Sequence, residues 1–390
     1  MNLRDQKIKS FINDNLHNSA TELMLQAHKY VEWDMKQIVQ QLVGKQIAEK
    51  KLPLWHKNDD ILYPIRLSME QCSSEATAKY KSSIIKGGQG IDITGGFGMD
   101  SYFLAQKSQS ITYCERDEGL AKIVDENFKT LGLNNYSVCI GDGIKHLDKI
   151  DSLDWIYIDP ARRKESQRVF KLQDCEPNII ELKDRLFEKS NEILIKTAPL
   201  LDIKQTIIDL ERVNAVHIVS VNNDCKEVLY HLKKGHNDEA RIHCVNIKAS
   251  GQEKFSFTLS KEQQTTPSYS MPLKYIYEPN SSIMKAGGFK SIAAQYDIHK
   301  LHQNSHLYTA NTCISDFPGR IFTLSKVLSA DRKHLKKIGI EKANLACRNY
   351  PQKVDVLKKK LKIQDGGVQY LFATTLVDSK PKLLLCQKAN

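Results

Sequence analysis

GIDITGGFGMD, residues 90–100, decides the fold. An apolar run ends in Asp92, a turn carries Gly95, Gly96 and Gly98, and a helical pattern begins near Met99. Glycines at a strand-to-helix turn let the backbone approach a ligand that a Cβ would exclude, as nucleotide-like cofactors require. An ordinary tight turn of an α/β protein would carry the same glycines, so the stretch is read with its surroundings.

Outward from it, short apolar runs alternate with helical segments between residues 89 and 248. Strands are expected at 90–93, 111–115, 136–139, 155–158, 193–196, 216–221 and 241–247, and helices from near Met99, Asp117, Gly143, Glu176, Asp202 and Asp224. This alternation predicts an α/β fold, a doubly wound Rossmann-like sheet of seven strands. Ala249-Ser250-Gly251 predicts a hairpin leading to a further strand at 255–259.

Acidic residues stand at four successive strand ends: Asp92, Glu115, Asp142 and Asp159. Open α/β sheets bind ligands at that edge. Glu115, 17 residues after Gly98, suits a pair of ribose hydroxyls. Asp142, between Gly141 and Gly143, suits either an adenine amino group or a helix cap, and both readings stand. Asp159-Pro160-Ala161-Arg162 opens a basic loop in which Arg162, Arg163, Lys164, Arg168 and Lys171 face Glu165 alone. Such a loop suits a nucleic-acid backbone.

Residues 1–82 read as helical. Met35, Ile38, Val39, Leu42, Val43 and Ile47 make one apolar stripe that Pro53 terminates, and Ser68 with Gln71 has capping-box spacing for a helix running through Lys79. Glu70, Gln71, Ser74 and Glu75 either close over a ligand or pack. A polar stretch at 263–268 predicts a linker. After it, a small segment precedes a β-α-β-α-β-β order whose last helix, opened by Pro351, turns Val354, Leu357 and Leu361 inward and Lys353, Lys358, Lys359 and Lys360 outward.

Net charge is +11, and residues 320–362 hold 13 Lys or Arg against Asp331, Glu341 and Asp355. That field suits a polyanion; a solvated lysine face is the alternative. No apolar run reaches membrane-spanning length and residues 1–13 are polar, so a cytoplasmic protein is expected. The nine cysteines form no CxxC pair, and His299, His302 and His306, placed on one helical face, have no Cys or acidic partner except Asp297, so no metal is expected.

Asp92 with the glycine turn, Glu115, Asp142 and Asp159-Pro160 resemble the ordered motifs of class I S-adenosylmethionine-dependent methyltransferases, with Thr94 where most members carry the first glycine. DITGGFGMD is similar to relatives of small-subunit ribosomal guanine-N2 methyltransferases. SMEQCSSEATAKY (68–80), IDPARR (158–163), YEPNSSIMKAGGF (277–289) and DGGVQYLFATTL (365–376) extend the resemblance to bacterial methyltransferases with a C-terminal THUMP-like domain.

The resemblance implies four regions: an N-terminal helical region (1–82), a methyltransferase domain (83–262), a ferredoxin-like α+β linker domain (270–318) and a basic THUMP-like domain (319–390). It implies S-adenosylmethionine held by Asp92, Thr94, Gly95, Gly96, Gly98, Asp100, Glu115, Asp142 and Asp159, and ribosomal or transfer RNA as substrate. Asp159, Pro160 and Arg162 would be catalytic, although Ala161 and Arg162 replace the proline and aromatic residue of amine-methylating relatives. Arg162, Arg163, Lys164, Arg168, Lys358, Lys359 and Lys360 would contact RNA. The implied target is a base nitrogen, an exocyclic amine such as guanine N2, since no cysteine lies at 159–163 or 196–199 for pyrimidine C5 chemistry. A non-catalytic RNA-binding protein on this fold, or a methyltransferase for a small molecule or protein, are the alternatives.

Overall fold

The computed structural model describes residues 2–162 and 172–389. The chain forms two compact units, Met1–Asn214 with Val228–Asp238, and Ala215–Glu227 with Glu239–Asn390.

The first unit opens with helices Gln6–Asp14, Ala20–Leu25, Met35–Lys51, Pro53–His56, Arg66–Gln71 and Glu75–Ile84. Met35, Ile38, Val39 and Leu42 are buried, as their spacing predicts. The single helix expected from Ser68 to Lys79 is two helices, broken at Cys72. Ile65, not Ser68, holds the first N-cap, and Ser74 caps the second helix by accepting from the Thr77 N–H at 3.3 Å. The Ser74 hydroxyl takes the backbone N–H of Thr77, while the Ser73 hydroxyl turns away to Asp100.

Strands β1 (Gln89–Asp92), β2 (Ser110–Glu115), β3 (Tyr136–Ile140), β4 (Leu153–Ile158) and β5 (Ser190–Thr197) pair in parallel in the order β3-β2-β1-β4-β5. Helices Met99–Ala105, Glu118–Thr130, Gly143–Leu147, Ile179–Lys189 and Ile203–Leu210 connect them or follow β5. The α/β expectation therefore holds, with one correction. Strand β6 (Val213–Val221) is followed not by a helix near Asp224 but by strand β7 (Asp224–Lys233), whose residues 228–233 pair antiparallel with β5. Asn222 and Asn223 both adopt positive φ (50° and 66°), the shape of a two-residue hairpin turn that asparagine tolerates. Val228 to Leu232 are all buried, and such a run cannot be told from a helix by periodicity. A small ribbon pairs Ala161–Arg162 with Cys175–Glu176.

In the second unit, β8 (Arg241–Lys248) pairs in parallel with residues 215–221 of β6 and in an antiparallel hairpin with β9 (Gly251–Thr258). A separate seven-stranded sheet follows, built from β10 (Tyr275–Pro279), β11 (His299–Lys300), β12 (Tyr308–Ala310), β13 (Gly319–Leu328), β14 (Asn344–Arg348), β15 (Gln369–Thr375) and β16 (Pro381–Lys388). Its order is β11-β12-β10-β13-β16-β15-β14. The expected β-α-β-α-β-β order is present, with helices Arg332–Lys337 and Val354–Leu361. Pro351 lies outside its helix, which begins after Lys353. Leu335, Leu357 and Leu361 pack with Leu345, Leu371 and Leu383, so both basic helices cover one face of this sheet. Ile276, Leu301 and Leu307 pack with Phe322, Phe372 and Leu384 in a second cluster.

His299, His302 and His306 do not share a helix: His299 opens β11, while His306 has positive φ and stacks on Phe289 with ring centroids 3.5 Å apart. Among the described residues no helix is long and apolar enough to cross a membrane, and no group of His, Cys, Asp and Glu has metal-holding geometry.

Candidate active site

The parallel strands bring their C-terminal ends to one edge, and a hydrogen-bond chain links those ends. At the end of β1, Asp92 is buried; its carboxylate accepts from Ser101 Oγ at 2.6 Å and from the Thr94 N–H at 3.0 Å. Burial pushes this carboxyl up to about 7 against the pull of those donors.

The turn that follows needs its glycines for different reasons. A Cβ on Gly95 would stand 2.1 Å from the Tyr113 ring, and one on Gly98, at φ 73°, would strike Val124 and Phe128. Gly96, at φ 53°, is required by conformation alone, for a Cβ there would meet nothing nearer than 4.0 Å. Thr94, Gly95 and Gly96 are half-buried while Ile93 and Phe97 are buried, so the crown of the turn is open.

Glu115, at the end of β2, fastens that crown. Its two carboxylate oxygens accept from the Gly96 N–H at 2.9 Å and the Asp117 N–H at 2.8 Å, while Tyr113 donates its hydroxyl to the Gly96 carbonyl at 2.6 Å. Beyond β3, Asp142 caps helix Gly143–Leu147 by accepting from the Ile144 N–H at 2.9 Å, and it pairs with Arg116 at 3.0 Å. Burial raises this carboxyl, but those donors and Arg116 outweigh it and the net shift is downward. The helix-cap reading is thus realised.

At the end of β4, the Asp159 N–H donates to Thr94 Oγ1 at 2.7 Å, and the Asp159 carboxylate forms an ion pair with Lys196 of β5. Thr94 therefore does what the usual glycine cannot, joining the first and fourth strand ends. Asp100 is not open to the crown. It is buried, accepts from Ser73 Oγ at 2.8 Å and Tyr157 OH at 2.7 Å, and pairs at 3.1 Å with the fully buried Lys81. Burial raises the Asp100 carboxyl, and Lys81 with Lys196 reverses this to a net lowering.

Asp92, Thr94, Gly95, Gly96, Glu115 and Asp159 are thus brought together by the turn and the strand ends. Ser73, Lys81, Ser101, Tyr157 and Lys196 join them without a motif to mark them in the sequence. For Lys196 the available signal is a lysine closing the apolar run 193–195. Glu75 accepts from the Leu54 N–H at 2.8 Å and pairs with Lys79, and Glu70 pairs with Arg66 at the surface, so both are engaged within the helical region. Arg163, Lys164, Arg168, Lys171 and the Arg162 side chain lie outside the described residues. In the second unit, Lys359 and Lys360 are exposed, whereas Lys358 pairs with Asp365 at 2.6 Å. Arg320 and Arg348 both pair with the buried carboxylate of Glu278, which offsets one of their two charges and lowers the basic field read in the sequence by one.

Residues 275–318 match a family model described as a ferredoxin-like domain, and residues 319–388 match one described as THUMP domain-like. No curated protein matches the chain. A crystal structure of a "putative methyltransferase" from Porphyromonas gingivalis W83 is similar over 99% of this chain and 99% of its own, at 32% identity and a TM-score of 0.88. The chain belongs to the family of methyltransferases with a C-terminal THUMP-like domain. An rRNA methylase from Streptococcus thermophilus is similar over 41% of this chain and 94% of its own, at 17% identity and a TM-score of 0.30. Among the described residues, the strand-end chain from Asp92 through Thr94 to Asp159 brings two carboxyl groups to the open turn.

Proposed function

We propose that this chain transfers a methyl group from S-adenosylmethionine to RNA, at a base nitrogen of the exocyclic-amine type such as guanine N2. The observation that carries this reading is Asp159, fixed by Thr94 through its backbone and by Lys196 through its carboxylate, next to the open turn.

The residues present fit the donor. The crown has room at Gly96, where a Cβ would meet nothing nearer than 4.0 Å, and Glu115 at its rim keeps carboxylate lone pairs for ribose hydroxyls beyond those given to Gly96 and Asp117. Asp92, Gly95 and Gly98 shape the turn; Asp142 serves the adenine side through the helix it caps. Asp100 acts indirectly, by bracing Ser73 and Lys81 against Tyr157.

The donor supplies a methyl group on a positively charged sulfur. The work of the chain is alignment: Asp159 accepts a hydrogen bond from the amine, aims its lone pair and balances the positive charge that develops on nitrogen as the N–C bond forms and the S–C bond breaks, the sulfur leaving as a neutral thioether and the amine's surplus proton passing to water. Pro160 fixes the backbone beyond it, and Arg162 with Arg163, Lys164 and Arg168 would hold the nucleotide and its phosphates. The exposed lysines of the THUMP-like region, Lys359 and Lys360 among them, would contact the RNA backbone.

The test is nucleoside mass spectrometry of ribosomal and transfer RNA from cells with and without the gene, joined to transfer of labelled methyl to RNA from the deletion strain. A methylated amine missing from the deletion strain and restored by the purified protein supports the reading. Label on ribose or on pyrimidine C5, or full activity in Asp159→Ala, overturns it.

A further inference from the structure

Lys196 is the seventh of eight residues in β5, and Ile158 pairs with Ile195, so Lys196 and Asp159 follow at the same level on adjacent parallel strands. Its side chain is 14% exposed. A lysine this deep at the end of an apolar strand needs a carboxylate, and it has two within its field: Asp159, with which it pairs, and Asp100, whose carboxyl it helps hold low. Asp92, Asp100 and Asp159 stand close enough for the latter two to raise the first. Lys81 pairs with Asp100 and donates to Ser73, and Lys196 pairs with the carboxylate at the end of β4.

We propose that Lys196 is a positioning residue for methyl transfer: its ammonium occupies one oxygen of the Asp159 carboxylate and so fixes the other for the target amine. This rests on the reading of Asp159 given above. The ammonium is a donor only, so it cannot take the amine's hydrogen bond itself, and its three hydrogens suit a carboxylate that must keep one orientation through the reaction. The opposite arrangement is a latch, in which Lys196 blocks Asp159 until substrate displaces it. The two differ in sign.

The full chain would be assayed with saturating S-adenosylmethionine and total RNA from cells lacking the gene, comparing parent, Lys196→Met, Lys196→Arg, Asp159→Asn and the Asp159→Asn/Lys196→Met double variant. Positioning predicts that Lys196→Met lowers kcat roughly 10²-fold, the scale of a displaced reacting group. KM for RNA and donor affinity by calorimetry should stay within about twofold. Lys196→Arg should recover much of the rate, and Lys196→Met should add little loss on the Asp159→Asn background because the two act as a unit. A kcat that is unchanged or raised in Lys196→Met, or a full second loss in the double variant, overturns the proposal. If Lys196→Met does not fold, as its lost donor binding would reveal, Lys196→Arg and Lys196→Gln decide: equal rates for both would also overturn it. An inactive parent, or a fully active Asp159→Asn, would instead fail the methyl-transfer reading, and is seen with Lys196 intact.

Discussion

The Thr94 hydroxyl accepts the Asp159 N–H at 2.7 Å, so one side chain in the glycine turn sets where the fourth strand end begins. Thr94→Val keeps the shape and removes the acceptor. Stability should fall by about 1 kcal/mol, the worth of one such bond, while Thr94→Ser stays near the parent. Urea unfolding measures the first effect. The transfer rate should fall more than donor affinity, because the displaced element carries Asp159.

Glu115→Ala should weaken S-adenosylmethionine binding by about 1.5–3 kcal/mol, the loss of a charged hydrogen bond. Glu115→Gln retains an oxygen for the Gly96 N–H and should lose less. Titration calorimetry reads both, and unchanged affinity in the alanine variant would remove Glu115 from the ribose site.

Asp92 makes stability pH-dependent in a definite direction. Its folded carboxyl is raised to about 7 by burial, from an ordinary value of 3.8. Between these values the folded state holds a proton that the unfolded chain has released, so its contribution is full at low pH and is lost as pH rises toward 7. Asp92→Asn should remove this slope, which is at most about 1.4 kcal/mol per pH unit. Denaturant unfolding of parent and variant from pH 4 to 8 should give curves that diverge as pH rises, then run parallel. Asp100, whose carboxyl is held low, loses its contribution only at more acid pH and does not blur the window.

Glu278 holds Arg320 and Arg348 with its side chain only 4% exposed. Glu278→Gln strands both guanidinium groups and should destabilise the chain toward the low end of about 3–5 kcal/mol, because each arginine keeps roughly a third of its exposure and is partly screened. Scanning calorimetry would show a lower Tm.

For RNA affinity, exposed lysines and not ion-paired ones should set the salt dependence. Reversing Lys336, Lys337, Lys359 and Lys360 should flatten the slope of log affinity against log salt by about 0.9 for each phosphate no longer neutralised. Lys358, tied to Asp365, should contribute less. An unchanged slope would make these helices a solubility feature.

What is legible in the sequence is local. The glycine turn, the acidic strand ends and the lysine-bearing helix face are each set by residues within a dozen positions of one another. Strand β7 escapes such a reading because burial on both sides erases the alternation that marks a strand. The partners of Asp100 come from positions 73, 81 and 157, and those of Glu278 from 320 and 348, so no spacing rule announces them. The basic field is overcounted by one charge for the same reason, since nothing near Arg320 or Arg348 in the chain points to the distant carboxylate they share.

Strand β13 runs antiparallel to β10 on one side and to β16 on the other, so one sheet passes unbroken from residues matching the ferredoxin-like description into residues matching the THUMP-like one. Two names therefore cover a single inheritable part. A chimera that borrowed 319–388 from a relative would bring an open strand edge and an apolar surface shaped for another chain's Ile276, Leu301 and Leu307. Any piece exchanged whole would have to reach back at least to the strand opening with Tyr275.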